Sequence, residues 1–308
     1  LSRTHSTFQL TLVLVGLCFF GSMFITNDVS LLTFVPFTFV VLSRLGADVR
    51  RSLLIPVVCM QTIAANLGSM LTPIGNPQNL YLYGKSGMSI GGFVLLMLPY
   101  TLVSLLLLLA WAALVCRKAS AALSVDELVS SSASQGDQKI ILLYLVLFAI
   151  CLLSVIRVLP YGIAFAAVLV CALFADPRTL RTVDYSLLLT FVAFFIFIGN
   201  LGRIPAFSGW LQEFLTGREV LVAVLASQVT SNVPAALLLS GFTAETQALI
   251  IGTNLGGLGT LIASMASLIS YRQIARELPQ GKKQYFGLFT LSNLIFLAIL
   301  LGVWFLLR

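Results

Sequence analysis

Apolar residues in this chain fall in long runs, without the every-third-or-fourth spacing of a helix that has one wet face. Gly92 to Val115, Ile140 to Leu159, Tyr185 to Leu201 with its flanks, and Phe286 to Leu307 approach or exceed the ~20 apolar residues that cross a ~30 Å hydrocarbon core, and predict plain spanning helices. Pro160 to Ala175 is shorter and follows the turn signal Leu-Pro-Tyr-Gly, which predicts a helical pair. The other runs are interrupted: Phe8 to Ser43 at Thr26-Asn27-Asp28, Leu53 to Gly84 at Asn66 to Asn79, Val220 to Leu239 at Ser231 to Pro234, and Ala248 to Tyr271 at Thr253 to Thr260. A freed backbone N–H or C=O is costly in hydrocarbon, so irregular backbone survives only inside protein or beside a wet cavity. These breaks therefore predict one built site.

The breaks also repeat. The string Ala65 to Leu80 aligns without gaps on Thr253 to Leu268, with identities at Asn66/Asn254, Leu67/Leu255, Gly68/Gly256, Thr72/Thr260, Ile74/Ile262 and Leu80/Leu268. Upstream of each copy stands a polar tip, Thr26-Asn27-Asp28 in the first half and Ser231-Asn232-Val233 in the second. Interrupted apolar segments at matching places in two halves point to a secondary transporter with its site near the bilayer midplane. The expected fold is an all-α polytopic membrane protein with inverted repeats, two re-entrant hairpins and two discontinuous transmembrane helices. Residues 1–115 would form the first repeat, 116–138 a flexible cytoplasmic linker rich in Ser, and 139–308 the second repeat. Residues 139 to about 205 have no first-half counterpart, so repeat symmetry predicts that roughly 65 residues, two or three helices, precede Leu1 in the natural protein.

Composition supports the membrane reading. The 308 residues are 59% apolar and 9% charged, too few charges to cover a water-facing surface. The net charge of +7 comes from basic residues lying singly or in pairs, with no basic face for nucleic acid. They fit membrane orientation instead: with Arg44 to Arg51 cytoplasmic, the loops Arg117 to Lys139, Arg178 to Arg181 and Arg272 to Lys283 also fall inside, and with Arg3 hold 13 of the 18 Lys and Arg. The same tracing makes the two hairpins enter from opposite sides. One histidine, His5, and five cysteines without a C-x-x-C pair support neither a metal site nor a disulfide frame. Gly84-Lys85-Ser86 lacks the first glycine of a phosphate loop, and Arg157 suits an interfacial, snorkelling position. Neither a catalytic dyad nor a cofactor fingerprint is present, so an enzyme is not expected.

The strings Ile25 to Pro36, Leu71-Thr-Pro-Ile-Gly-Asn-Pro-Gln-Asn79 and Ser227 to Pro234 resemble the ion transporter superfamily. They look most like the anion permeases of the arsenite-pump membrane subunit, sodium/proton antiporter and citrate transporter group, relatives of the divalent anion:sodium symporters. That resemblance implies a substrate between hairpin tips and broken helices, a homodimer, and sodium sites at Ser-Asn-Thr motifs. Here the third motif position departs in both halves, and the carboxylate of Asp28 looks like the arsenite and antiporter branches.

The candidate substrate and ion ligands are Thr26, Asn27, Asp28, Asn66, Gly68, Thr72, Gly75, Asn76, Ser231, Asn232, Thr253, Asn254, Gly256 and Thr260, with sodium at Asn27, Asp28, Asn66, Asn232 and Asn254. An acid deep in an apolar segment costs ~2.5–3.5 kcal/mol on insertion, so Asp28 is either a coupling-ion ligand or proton carrier, or a carboxylate capping the next half-helix. Asn27 and Asn232 are open to the same choice between ligand and cap. Gly68, Gly75 and Gly256 either let a ligand approach the backbone or let helices pack closely. Thr72 and Thr260 are the preferred hydroxyl ligands, and the half-helix starting near Pro77 offers its N-terminal amides to an anion. The expected activity is movement of a small anion, dicarboxylate, citrate-like or inorganic, coupled to a sodium or proton gradient across a bacterial plasma membrane. The alternative is a sodium/proton antiporter or arsenite-type efflux permease centred on Asp28.

Overall fold

The computed structural model describes residues 6–117, 138–175, 177–183 and 185–308. The expected linker lies almost wholly outside these residues, as does His5. Described residues form helices and turns, with no β-strand among them. In chain order the helices are α1 (Thr7–Ile25), α2 (Asn27–Ser43), α3 (Ala47–Ser69), α4 (Pro77–Ser86), α5 (Ile90–Arg117), α6 (Gln138–Val155), α7 (Tyr161–Ala175), α8 (Pro177–Thr182), α9 (Tyr185–Leu201), α10 (Pro205–Leu215), α11 (Glu219–Thr230), α12 (Asn232–Leu239), α13 (Thr246–Leu255), α14 (Met265–Glu277) and α15 (Lys282–Leu307). They belong to two compact units, Leu1–Ser130 with Ile198–Arg308, and Ser131–Phe197. The stretch expected as a second repeat, 139–308, is divided between them.

Within the larger unit the least apolar long helix is the central one. Every residue of α3 from Leu53 to Ser69 is buried except the half-buried Pro56, and that buried stretch includes Gln61, Thr62, Asn66 and Ser69. Such polar side chains are tolerated because each finds partners inside the protein. Gln61 Nε2 donates to Leu14 O of α1 at 3.1 Å and to Phe34 O of α2 at 3.4 Å, fastening the centre to both neighbours. α5 and α15 behave oppositely: Leu95, Leu106, Leu291 and Leu306 are 59% exposed or more, an apolar surface that only lipid covers well. Among the described residues four helices, α1, α3, α5 and α15, are long and apolar enough to cross a membrane. The chain is a multi-pass membrane protein.

In the smaller unit α6 and α7 form the predicted pair, with one correction. The run Ile140 to Leu159 does not stay helical to its end, because α6 stops at Val155 and Arg157 turns the chain at φ 63° ahead of Pro160. The short α8 and α10, each opened by a proline at its first position, were not anticipated.

Each of the two hairpins folds back at a single residue. α1 and α2 pack against each other beyond Thr26, where Ser30 Oγ donates to Cys18 O at 3.2 Å; α11 and α12 do the same beyond Ser231. The first turn of α3 meets the end of α14 through the Arg50–Glu277 ion pair at 2.9 Å, so two of the stretches assigned to one side by charge lie at one end of the unit.

Candidate functional site

The two tips share a rare backbone. Thr26 sits at φ 69°, ψ 156° and Ser231 at φ 76°, ψ 154°, in a region occupied almost only by glycine. Holding a non-glycine residue there costs ~1–3 kcal/mol, more readily borne when the surroundings fix it. The reversal takes one residue, so α2 and α12 begin at once with Asn27 and Asn232. Asn27 Oδ1 accepts from Asp28 N at 2.9 Å, while its Nδ2 donates to Asn66 Oδ1 at 3.1 Å. Asn232 N donates to Ala263 O at 2.9 Å, joining the second tip to the loop ahead of α14.

The interrupted helices are built in register with the repeated strings. α3 ends at Ser69, and α4 starts after an extended Asn76 (φ −147°, ψ 147°). α13 ends at Leu255, and α14 starts after an extended Ser264 (φ −141°, ψ 135°). Asn76 and Ser264 occupy the same position of the aligned strings.

The contacts recur as well. Ser264 Oγ donates to Asn66 Oδ1 at 2.9 Å, and Asn76 Nδ2 to Asn254 Oδ1 at 3.5 Å. Asn66 Nδ2 donates to Ser267 Oγ at 3.4 Å, and Asn254 Nδ2 to Asn79 Oδ1 at 2.6 Å. Thr72 Oγ1 donates to Met23 O at 2.6 Å, and Thr260 Oγ1 to Gln228 O at 3.2 Å. A Cβ on Gly68 would stand 2.7 Å from Ser22 Oγ, and one on Gly256 2.6 Å from Ser227 Oγ. Each of these four contacts thus has a partner contact between the matching residues of the other half, whereas the bonds of Asn27 and Asn232 at the tips differ.

Four helix N-termini, those of α2, α4, α12 and α14, open into this network, and none of the bonds just described involves Lys or Arg. Their dipoles give the place a positive character without a basic side chain, although Asp28 N and Asn232 N are already bonded. Lys85 lies at the far end of α4, where it donates to Ser240 O. Asp28 stands in the first turn of α2 with Oδ1 buried and unpartnered, so that oxygen is not spent on capping. Thr26, Asn27, Asp28, Asn66, Asn76, Ser231, Asn232 and Asn254 are therefore brought together. Thr253, Thr72 and Thr260 give their hydroxyl protons to backbone carbonyls, that of Thr253 to Leu249 O at 2.7 Å. The glycines serve close packing: a Cβ on Gly68 would meet Phe19 O at 2.0 Å, and one on Gly75 would meet Ser69 O at 2.0 Å.

Several participants had escaped sequence reasoning. Ser264 and Ser267 match Asn76 and Asn79 as polar for polar, a signal that a search for identities passes over. Gln228 grips the second break, donating to Gly256 O and Leu258 O and accepting from Thr260 N, but its first-half counterpart is Met23, so no pattern marks it.

The citrate transporter family model matches residues 1–248. The inner membrane protein YbiR of Escherichia coli is 34% identical over 259 residues, covering 82% of this chain and 66% of its own length. An uncharacterized transporter of Methanocaldococcus jannaschii is 31% identical over 264 residues, covering 86% of this chain and 70% of its own. A 46 kDa membrane protein of Mycobacterium leprae is 24% identical over 307 residues, with 87% and 70% covered. The chain thus spans about two thirds of the length of these relatives.

Proposed function

Since the chain belongs to the citrate transporter family, we propose that it is a secondary active transporter carrying a small anion, coupled to a sodium or proton gradient by alternating access. The observation that carries this reading is the doubled contact network, in which the interrupted helices of one half bond those of the other through matching residues. Such doubling supports inverted repeats with re-entrant hairpins, and in transporters of that kind substrate and ion bind at the repeat interface. Four helix N-termini favour an anionic group, and amide oxygens with the Asp28 carboxylate favour a cation next to it.

In this reading Asn27, Asp28 and Asn66 hold the coupling ion on one side, Asn232 and Asn254 answer them on the other, and the anion lies between the starts of α4 and α12. The unpartnered Asp28 oxygen also favours a second reading, a cation/proton antiporter centred on that residue. Homodimeric assembly and a bacterial plasma membrane complete the proposal on family likeness.

Uptake into proteoliposomes tests it. Imposed sodium or proton gradients should drive anion accumulation that Asp28→Asn and Asn66→Ala abolish, and unchanged flux in both variants refutes the site. A pH-sensitive dye inside the vesicles separates the two readings, since an antiporter moves protons against sodium with no anion present.

A further inference from the structure

We propose that Gln78 is the side chain by which this chain selects its anion, reading a hydroxyl group next to a carboxylate; the inference rests on the transport reading above. Gln78 is 1% exposed, and neither its Oε1 nor its Nε2 has a hydrogen-bond partner. Buried side-chain amides are almost always paired, so one with both ends unused in a site is poised for something that arrives. The matching residue of the second half is Ala266, so this amide is an addition to the doubled frame.

Its place in the fold is suited to that task. Gln78 lies in the first turn of α4, whose first intrahelical bond is that of Leu80 N, and Asn76 makes no capping bond to this turn. The N–H groups of Gln78 and Asn79 are therefore left over as donors. Tyr81 and Lys85, three and seven residues on, share the helix face of Gln78 and reach Ser240 at the end of α12. Gln78 thus shares the face of α4 that meets α12, and its neighbours Asn76 and Asn79 bond Asn254 of α13.

Asn76 adds a second acceptor. Ser69 Oγ spends its proton on Asn66 O at 2.9 Å and so accepts from Asn76 Nδ2 at 2.7 Å, which fixes the amide with Oδ1 free and buried. Two backbone N–H groups and Gln78 Nε2 suit a carboxylate, whereas Gln78 Oε1 and Asn76 Oδ1 need a donor. A fully ionised oxyanion has no proton to give, but a hydroxycarboxylate presents both groups. Sites that hydrogen-bond a ligand hydroxyl reject the analogue lacking it, because their own polar atoms then stay unpaired.

Thermal unfolding of the purified chain in detergent, at fixed sodium, tests this with the pairs citrate and tricarballylate, and malate and succinate. In the wild type the hydroxy acid of at least one pair should half-saturate the stabilisation at a concentration about tenfold below its deoxy partner. Gln78→Leu, nearly isosteric, should bring both members of that pair within about twofold, and without ligand should unfold at a higher temperature than wild type, since two unpaired buried polar atoms are gone. Equal response of the wild type to both members of each pair, including no response, overturns the proposal. A retained preference in Gln78→Leu, or a ligand-free variant less stable than wild type, overturns it too, because Gln78 would then hold a cation, a water or the fold. Failure of the transport reading shows itself separately, as hydroxyl-selective binding without gradient-driven uptake.

Discussion

The two halves of the site have the same frame and different chemistry. Asn27 and Asn232, Asn66 and Asn254, Thr72 and Thr260, Gly68 and Gly256, and Ser22 and Ser227 are identical pairs. Most of them bond or pack within the protein in the same way in both halves. Where the halves disagree, the first carries Asp28, Gln78 and the amides Asn76 and Asn79, and the second Val233, Ala266, Ser264 and Ser267. Asp28, Gln78 and Asn76 each have a buried oxygen without a partner, as do Gln61, Gln273, Thr290 and Asn293 elsewhere among the described residues. The shared positions hold the structure, and on the proposed transport reading Asp28 and Gln78, which the second half lacks, are the ones left for ligands.

Substitutions can break that contrast, beginning with the frame. Gly68→Ala is expected to prevent a stable fold, costing about 3 kcal/mol or more, because its Cβ would meet the rigid Phe19 carbonyl. Gly256→Ala should cost less, since its Cβ would stand 2.6 Å from the Ser227 hydroxyl and 2.8 Å from Gly252 O, where Gly68 meets a carbonyl at 2.0 Å. Size-exclusion profiles and unfolding temperatures of the detergent-purified variants check this, and equal damage at both sites would void the distinction.

Asp28→Asn should lower gradient-driven flux about a hundredfold, equivalent to ~2.7 kcal/mol, while Val233→Asn at the matched position stays within about twofold of wild type. Tracer uptake at several sodium concentrations decides it. Thr72→Val and Thr260→Val each remove one hydroxyl-to-carbonyl brace, and each should lower stability by ~1 kcal/mol with flux retained. Markedly unequal shifts in unfolding temperature would mean that the braces are not equivalent. The smallest effect is expected of Arg50→Gln, which removes an ion pair whose side chains are 36% and 41% exposed. Such a pair contributes well under ~1 kcal/mol, and high salt should erase even that.

Much of the frame was legible because hydrocarbon makes a break conspicuous. Thr26 and Ser231, polar residues inside apolar runs, fall on the two reversals, and the aligned strings put Asn76 and Ser264 at the two helix starts. The direction of the bonds was not legible. Nothing in a string tells that Thr72 spends its proton on Met23 O, or that Gly68 is needed by α1, because both depend on how segments 40 or more residues apart approach. Gln78 was passed over for a related reason. It sits in the most distinctive string of the chain, yet an amide there reads as one more polar residue until its burial and lack of partners are known. α10 was missed because its mixed apolar and polar positions, Trp210 and Phe214 exposed and Leu211 and Leu215 buried, belong to neither a span nor a loop.

The tip residues carry one last consequence. Thr26 and Ser231 are kept in a posture that a side chain resists, and the first is restrained through the bond between Asn27 and Asn66. Any visitor that competes for Asn66 slackens that restraint, and the peptide then has an easier shape to relax into. On the proposed transport reading, these two joints would then sit where cargo presses on them, as a sprung latch is set beside the door it releases.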